Sequence, residues 1–245
     1  MVTQKGDFIY VDYTAKIQET NEMFDTTLEE KAKEGGIFKE DAVYESLFVV
    51  VGAGWVLKKL DNSLIDLEVD QETHIVIPPE DGFGLRDPAK VKVIPISRFR
   101  KQEITPYPGA QVEIDGKTAI VRSVGAGRVQ VDFNPSLAGK TLEYELTVKS
   151  IIEEKLDKIK ALIHRRINAV GVEQFNLGVT DEEISIEIPE EAFYLQGLQF
   201  AKRGIASDLR DFFSPSKITF TEIFVKSSPP PVEDEPEQAV DSADT

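Results

Sequence analysis

The sequence predicts an α+β fold, with antiparallel strands and one short helix ahead of a C-terminal α-β-α-β unit. Three observations carry this. Apolar and polar residues alternate with a period of two in several runs between residues 8 and 151, the mark of half-buried strands. An Asp115-Gly116 pair separates two such alternating runs, a strong hairpin signal. Beyond residue 152 the period shifts to 3.6, which requires helix.

Taken in order, Phe8 to Ile17 alternates as a strand with useful aromatics on both faces. Thr27 to Val43 is charged and contains Gly35 and Gly36, so it reads as a long loop holding one helical turn. Leu47 to Val51 is a continuous apolar run closed by Gly52 and Gly54, a buried strand ending in a tight turn. Val56, Leu57, Leu60 and Leu64 then follow helical spacing, giving a short amphipathic helix laid over a sheet. Glu72 to Pro79 is a strand stopped by Pro78 and Pro79, and Gly82 and Gly84 flank Phe83 in a loop. Strand-like pieces follow at Val91 to Ile96, Ala110 to Ile114, Thr118 to Val124 and Val129 to Phe133, then a long strand from Thr141 to Ile151. Leu156, Ile159, Ile163, Ile167 and Val170 form a helical stripe closed by Gly171. Glu183 to Ile188 reads as a strand, Glu190 to Phe213 as a helix, and Lys217 to Val225 as a second strand. From Ser227 the chain is Pro-rich and then acidic, which predicts disorder for residues 227 to 245.

Composition excludes more than it selects. The chain has 245 residues and no run of 18 apolar ones, so no membrane span or membrane partner is expected. Its start lacks the basic and apolar regions of an export signal, which points to the cytoplasm. The absence of cysteine removes disulfides, thiol nucleophiles and zinc-thiolate sites. Two histidines, His74 and His164, give a metal site or a catalytic triad almost nothing to use, and no phosphate-binding or hydrolase motif occurs. No cofactor and no metal are expected. A formal charge of −16 argues against a nucleic-acid binder. Residues 86 to 131 nevertheless hold nine Lys/Arg against four Asp/Glu, a basic module inside an acidic frame.

What remains is an apolar set, Tyr13, Phe24, Leu47, Trp55, Val56, Leu57, Leu60, Phe83 and Tyr144, with one acid, Asp25, beside Phe24. Any one of Leu47, Val56, Leu57 or Leu60 is more often simple core than a ligand contact, and Tyr144 on an alternating strand is core by default. Asp25 is different, because an acid at an apolar strand end needs a hydrogen bond. Two donors are in range, the Tyr13 hydroxyl or, as a turn cap, the Thr27 amide.

In its order of motifs the chain resembles the FKBP family of prolyl isomerases. The matching pieces are Phe24-Asp25, Leu47 to Gly52, Trp55 to Leu60, Ile77 to Gly84, and Leu142-Glu143-Tyr144. The stretch between Gly84 and Ala138 further resembles the insert-in-flap domain of SlyD-like members, and the appended unit resembles that of long-type archaeal FKBPs. The resemblance implies a half-barrel wrapped on the short helix, with a small β-domain inserted in its flap. It divides the chain into a discontinuous isomerase domain (1–85 and 132–152), the insert (86–131), a C-terminal α/β domain (153–226) and the tail (227–245). Tyr13, Asp25, Leu57 and Phe83 would then act on the substrate, Asp25 by a proline-twisting contact and Leu57 through its backbone N–H. Phe24, Leu47, Val56, Leu60 and Tyr144 would bind it. Leu60 stands where many members carry Trp, and Phe83 where many carry Tyr. A His-rich metal-binding tail is missing.

The implied activity needs no nucleophile. Rotation about an X-Pro bond crosses a barrier of roughly 18–20 kcal/mol set by amide resonance, and a twisted amide is less charge-separated than a planar one. A dry apolar pocket therefore favours the transition state. The expected partners are unfolded or nascent polypeptides with X-Pro bonds, captured by an insert surface of Val91, Ile94, Ile96, Phe99 and Val112. A peptide-binding chaperone with weak or no isomerase activity, and a ribosome-associated factor docking through the basic insert, are the alternatives. The apolar stripe Phe193, Leu198, Ile205, Phe212, Phe220 and Phe224 exceeds what a four-element unit buries alone, so it is expected to pack against the barrel or a second copy in a homodimer.

Overall fold

The alternation in the first third of the chain becomes β1 (Phe8–Ile17), which together with β2 (Glu22–Thr26), α1 (Glu29–Glu34), β3 (Leu47–Val50), α2 (Lys58–Ser63) and β4 (Glu72–Ile77) forms the first part of the fold. The insert supplies β5 (Val91–Pro95), α3 (Ile96–Lys101), β6 (Gln111–Ile114), β7 (Lys117–Gly125) and β8 (Arg128–Asp132), and the chain returns as β9 (Leu142–Ile152). This is the computed structural model of the chain, which describes residues 1–224. The chain divides into two units, the first Met1–Lys158 and the second from Ile159 onward.

β1 and β9 pair antiparallel along their full lengths, and β4 extends the sheet beyond β9. The other edge of β1 is shared. Phe8–Val11 pair with β3, and Thr14–Ile17 pair with β2. The inward face of this sheet, including Ile9, Val11, Ile75, Ile77, Leu142 and Val148, closes on Leu60 and Leu64. A six-residue helix has no independent stability in water, so α2 exists because each of these leucines gains roughly 1.5–3 kcal/mol on burial.

The insert is an antiparallel sheet in the order β5-β8-β7-β6. Asp115 and Gly116, both at positive φ, make the expected tight hairpin between Ile114 and Lys117. Ile96, expected at a strand end, instead opens α3, and this helix drives Phe99 into the centre of the insert's core. At the base of the insert Asp132, 1% exposed, accepts from Arg86 and Arg122 on one oxygen and from the amide and side chain of Asn134 on the other. Burial alone would raise its pKa. The hydrogen bonds from Asn134, Arg122 and Arg86 overcome this and hold the carboxyl far below the usual range. Gly139 N–H donates to Gly84 O at 2.8 Å, so the two connections to the insert meet where they leave the half-barrel.

The second unit draws on α4 (Lys155–Arg166), β10 (Asn176–Val179), β11 (Glu183–Ile188), α5 (Leu198–Phe213) and β12 (Lys217–Glu222). The expected α-β-α-β order gains one strand, because β10 pairs antiparallel with β11 while β12 pairs parallel with it. The helix expected from Glu190 begins only at Leu198. A 3₁₀ turn covers only Glu190–Ala192, and Gly197, at φ 84 in the left-handed region, is the N-cap residue from which α5 starts. Leu198 and Ile205 from the predicted stripe lie in the unit's own core, beside Ile159, Leu162, Ile184 and Leu209 among its buried residues. The exposed aromatics of the unit are Tyr194, Phe200 and Phe224. The acidic tail predicted from residue 227 lies outside the described residues.

Candidate active site

Tyr13, Phe24, Leu47, Val56 and Leu57 are half-buried and pack onto the core cluster that contains Leu60 and Tyr144. The Tyr13 and Tyr144 rings lie 5.8 Å apart, and Phe24 meets Tyr144 edge-on at 6.2 Å. Local irregularity puts Phe24 there. Ala15 pairs with Asp25 and Lys16 with Met23, so Phe24 is the extra residue of a β-bulge, a device that re-aims a side chain.

At the rim the Tyr13 hydroxyl donates to Asp25 Oδ2 at 2.7 Å. The Thr27 amide goes to the Tyr13 carbonyl at 3.1 Å, so the turn-cap alternative is not the one this fold uses. Burial first, and then the Asp25 carboxylate, raise the pKa of the Tyr13 phenol. The same two causes push Tyr144 up to about 12. Both hydroxyls stay neutral throughout the physiological range.

Leu57 caps the N-terminus of α2, its carbonyl accepting from the Asp61 amide at 2.9 Å, while its own N–H meets no acceptor among the described residues. Phe83 stands apart from the cluster, 42% exposed between Gly82 and Gly84. Sequence reasoning missed Asp61. This acid is 5% exposed and accepts from the Gly52 and Gly54 amides, each at 2.8 Å. It ties α2 to the turn that delivers Trp55, Val56 and Leu57. The available signal was an acid one turn into a helix that follows two closely spaced glycines.

The insert surface needs correction. Ile94, Phe99 and Val112 are buried in the insert's own core, and only Val91 and Ile96 of that set are partly accessible. An insert this small must spend its largest apolar side chains on its own stability. Among the described residues no group of His, Asp and Glu side chains is placed to hold a metal ion.

Residues 92–137 match the family model described as FKBP26, IF domain, and residues 155–225 match FKBP26_C-terminal. The chain is 27% identical over 146 residues to the FKBP-type peptidyl-prolyl cis-trans isomerase SlyD of Treponema pallidum, covering 56% of this chain and 80% of that protein. It is 34% identical over 148 residues to the short-type peptidyl-prolyl cis-trans isomerase of Methanocaldococcus jannaschii, covering 60% of this chain and 93% of the relative. The chain belongs to the FKBP-type prolyl isomerases. As an isomerase of this type it combines the enzyme class of its relatives with an insert and a C-terminal unit that each match a family model. No helix of the described residues in this FKBP-type isomerase is long and apolar enough to cross a membrane.

Proposed function

We propose that X-Pro bonds rotate in the pocket formed by Tyr13, Phe24, Leu47, Val56, Leu57, Leu60 and Tyr144, and that the insert engages the unfolded or nascent chains that carry them. The observation that carries the first part is the Tyr13–Asp25 hydrogen bond at the edge of an otherwise apolar cluster. It holds one carboxylate oxygen beside a water-poor surface, where it can press on a proline ring while the apolar wall favours the twisted amide. The Leu57 N–H, which meets no acceptor among the described residues, receives a substrate carbonyl on this reading. Lowering the barrier by about 5 kcal/mol in this way would accelerate exchange roughly 10⁴-fold.

Support for a separable insert comes from the Gly139–Gly84 hydrogen bond, which lets a short loop replace residues 86 to 131 without spreading the half-barrel. The test is a protease-free isomerisation assay on a proline tetrapeptide, run beside suppression of client aggregation. Asp25→Ala should lower kcat/KM by roughly tenfold, about 1.4 kcal/mol of transition-state stabilisation, and Phe83→Tyr should leave it unchanged or raise it. The loop replacement should keep tetrapeptide turnover within a few-fold and lose aggregation suppression. Absence of acceleration with every residue type before proline would end the pocket assignment, and a loop variant that holds clients as well as the parent would end the insert assignment.

A further inference from the structure

Along the open edge of the insert runs a groove of about 580 Å³, with Lys90, Lys92 and Val93 on one side, Ile114 and Lys117 on the other, and Phe133 among its lining residues. Its charges are unequally engaged. Arg98 is bound to Asp115, and Asp87 accepts from the Ala89 amide. Lys90, Lys92 and Lys117 have no carboxylate within 4.0 Å among the described residues. The Lys92 ammonium stands 5.8 Å from the Phe133 ring centre.

The wall is also an unfinished sheet. Among the described residues β5 is an edge strand, bonded to β8 alone. The bonds Phe133 N to Lys90 O and Ile96 N to Gly127 O direct the backbone of Lys90, Lys92, Ile94 and Ile96 toward β8, so Val93, one residue out of phase, turns its N–H and C=O to the groove. Pro95 removes the next outward donor, which leaves a short pairing site. The Val93 side chain is 59% exposed beside it.

Building on the reading that the insert engages unfolded chains, we propose that this groove selects client segments that are extended, apolar and acidic. Such a segment pairs with the Val93 backbone, lays its apolar side chains over Val93 on one face of the sheet, and turns its carboxylates to Lys90 and Lys92 on the other, with Lys117 across the groove. Backbone pairing and apolar contact accept almost any sequence, whereas three ammonium groups with no carboxylate beside them among the described residues do not. Nucleic acid is the poorer occupant, because a chain of net charge −16 repels a polyanion while a single acidic segment carries too little charge to be excluded. The chain's own residues 232 to 245 hold six acids but few apolar side chains, and they fit only the charged part of the groove.

The test is fluorescence anisotropy on the full chain with labelled, proline-free peptides, one alternating valine with glutamate, its valine-lysine counterpart, and a single-stranded oligonucleotide. The acidic peptide should bind about tenfold more tightly than the basic one, or about 1.4 kcal/mol, with the gap closing as salt rises from about 0.05 to 0.5 M. Lys92→Glu combined with Lys117→Glu should abolish or invert the preference, and Lys92→Arg with Lys117→Arg should retain it, the melting curves reporting an intact fold. Equal affinities, a preference that survives charge reversal, or an oligonucleotide that binds as well would overturn the assignment. Acidic-peptide binding seen only after removal of residues 225 to 245 would make the tail the occupant and overturn it too. Aggregation of a client without net charge, followed in parallel, separates the two levels. Loss of its suppression in the insert-replaced protein but not in the charge-reversed one leaves the insert reading standing, whatever the peptides show.

Discussion

Truncating Asp61 should loosen the pocket from behind. The carboxylate accepts two backbone hydrogen bonds at 2.8 Å while almost fully buried, and hydrogen bonds to a charged group contribute roughly 1.5–3 kcal/mol each. Gly52 and Gly54 are themselves exposed, so water will take up their freed amides and return part of this. The net loss for Asp61→Ala is about 2–3 kcal/mol, which lowers the melting temperature by roughly 5–10 °C for a unit of this size. Asp61→Asn keeps one acceptor and should lose about half as much. The turn held by Asp61 leads into Trp55, the single tryptophan of the chain, so indole emission reports locally on its position. We expect a shift in that emission and a roughly tenfold fall in kcat/KM, with Asp61→Asn between the two proteins in all three measurements. An Asp61→Ala protein that melts, fluoresces and turns over like the parent would refute the coupling between α2 and the pocket.

Stability should fall at both ends of the pH scale for different reasons. Tyr144 has a pKa raised to about 12 in the fold, so its contribution is complete below its unfolded value near 10 and drains away as pH climbs toward 12. Ultraviolet titration should show the Tyr13 and Tyr144 phenols ionising late, and in Asp25→Ala earlier, though still late because burial is the larger cause. Asp132 has the opposite sign. Its depressed pKa contributes above the unfolded value near 4 and is lost below it, and Asp132→Ala should cost about 2–3 kcal/mol, limited because Arg86 and Arg122 are nearly half exposed and can return to water. Light scattering should give the full chain about twice its formula mass, and a version ending at Ile152 its single mass, because Tyr194 and Phe200 are 87% and 81% exposed. Equal monomer masses would exclude the homodimer.

The strands β1 and β9 were legible because β9 alternates from Leu142 to Lys149 and β1 is a ten-residue run rich in aromatic and β-branched residues, and the hairpin at Asp115-Gly116 because few other dipeptides accept two successive positive φ angles. The pairing of Tyr13 with Asp25 was one of two options that local chemistry allowed. What escaped depends on registry. Nothing in Glu22 to Thr26 announces that Phe24 is bulged, since a bulge is defined by the partner strand. Helix α3 is six residues long, below the length at which periodicity can be distinguished from noise. Apolar content alone puts Phe99 on the insert's surface, and only the geometry of α3 turns it inward. Asp61 resembled any acid on an exposed helix, and its role emerges only when the chain folds back on Gly52 and Gly54.

The shared edge of β1 has a consequence for how this scaffold can be varied. Between the segment held by β3 and the segment held by β2, the Tyr13 amide donates to Thr27 Oγ1 at 2.9 Å and its carbonyl accepts from Thr26 Oγ1 at 2.8 Å. Side chains bridge the gap that a continuous partner strand would have filled. The chain therefore departs at Thr27 and rejoins at Leu47 with both anchor points fixed on one rigid ladder. Whatever lies between them, α1 and residues 35–46 here, is free to lengthen, shorten or change composition at small entropic cost. Grafted sequence at that place would reshape the approach to Tyr13 and Asp25 without moving either, making it the natural position for tuning which peptides reach the pocket.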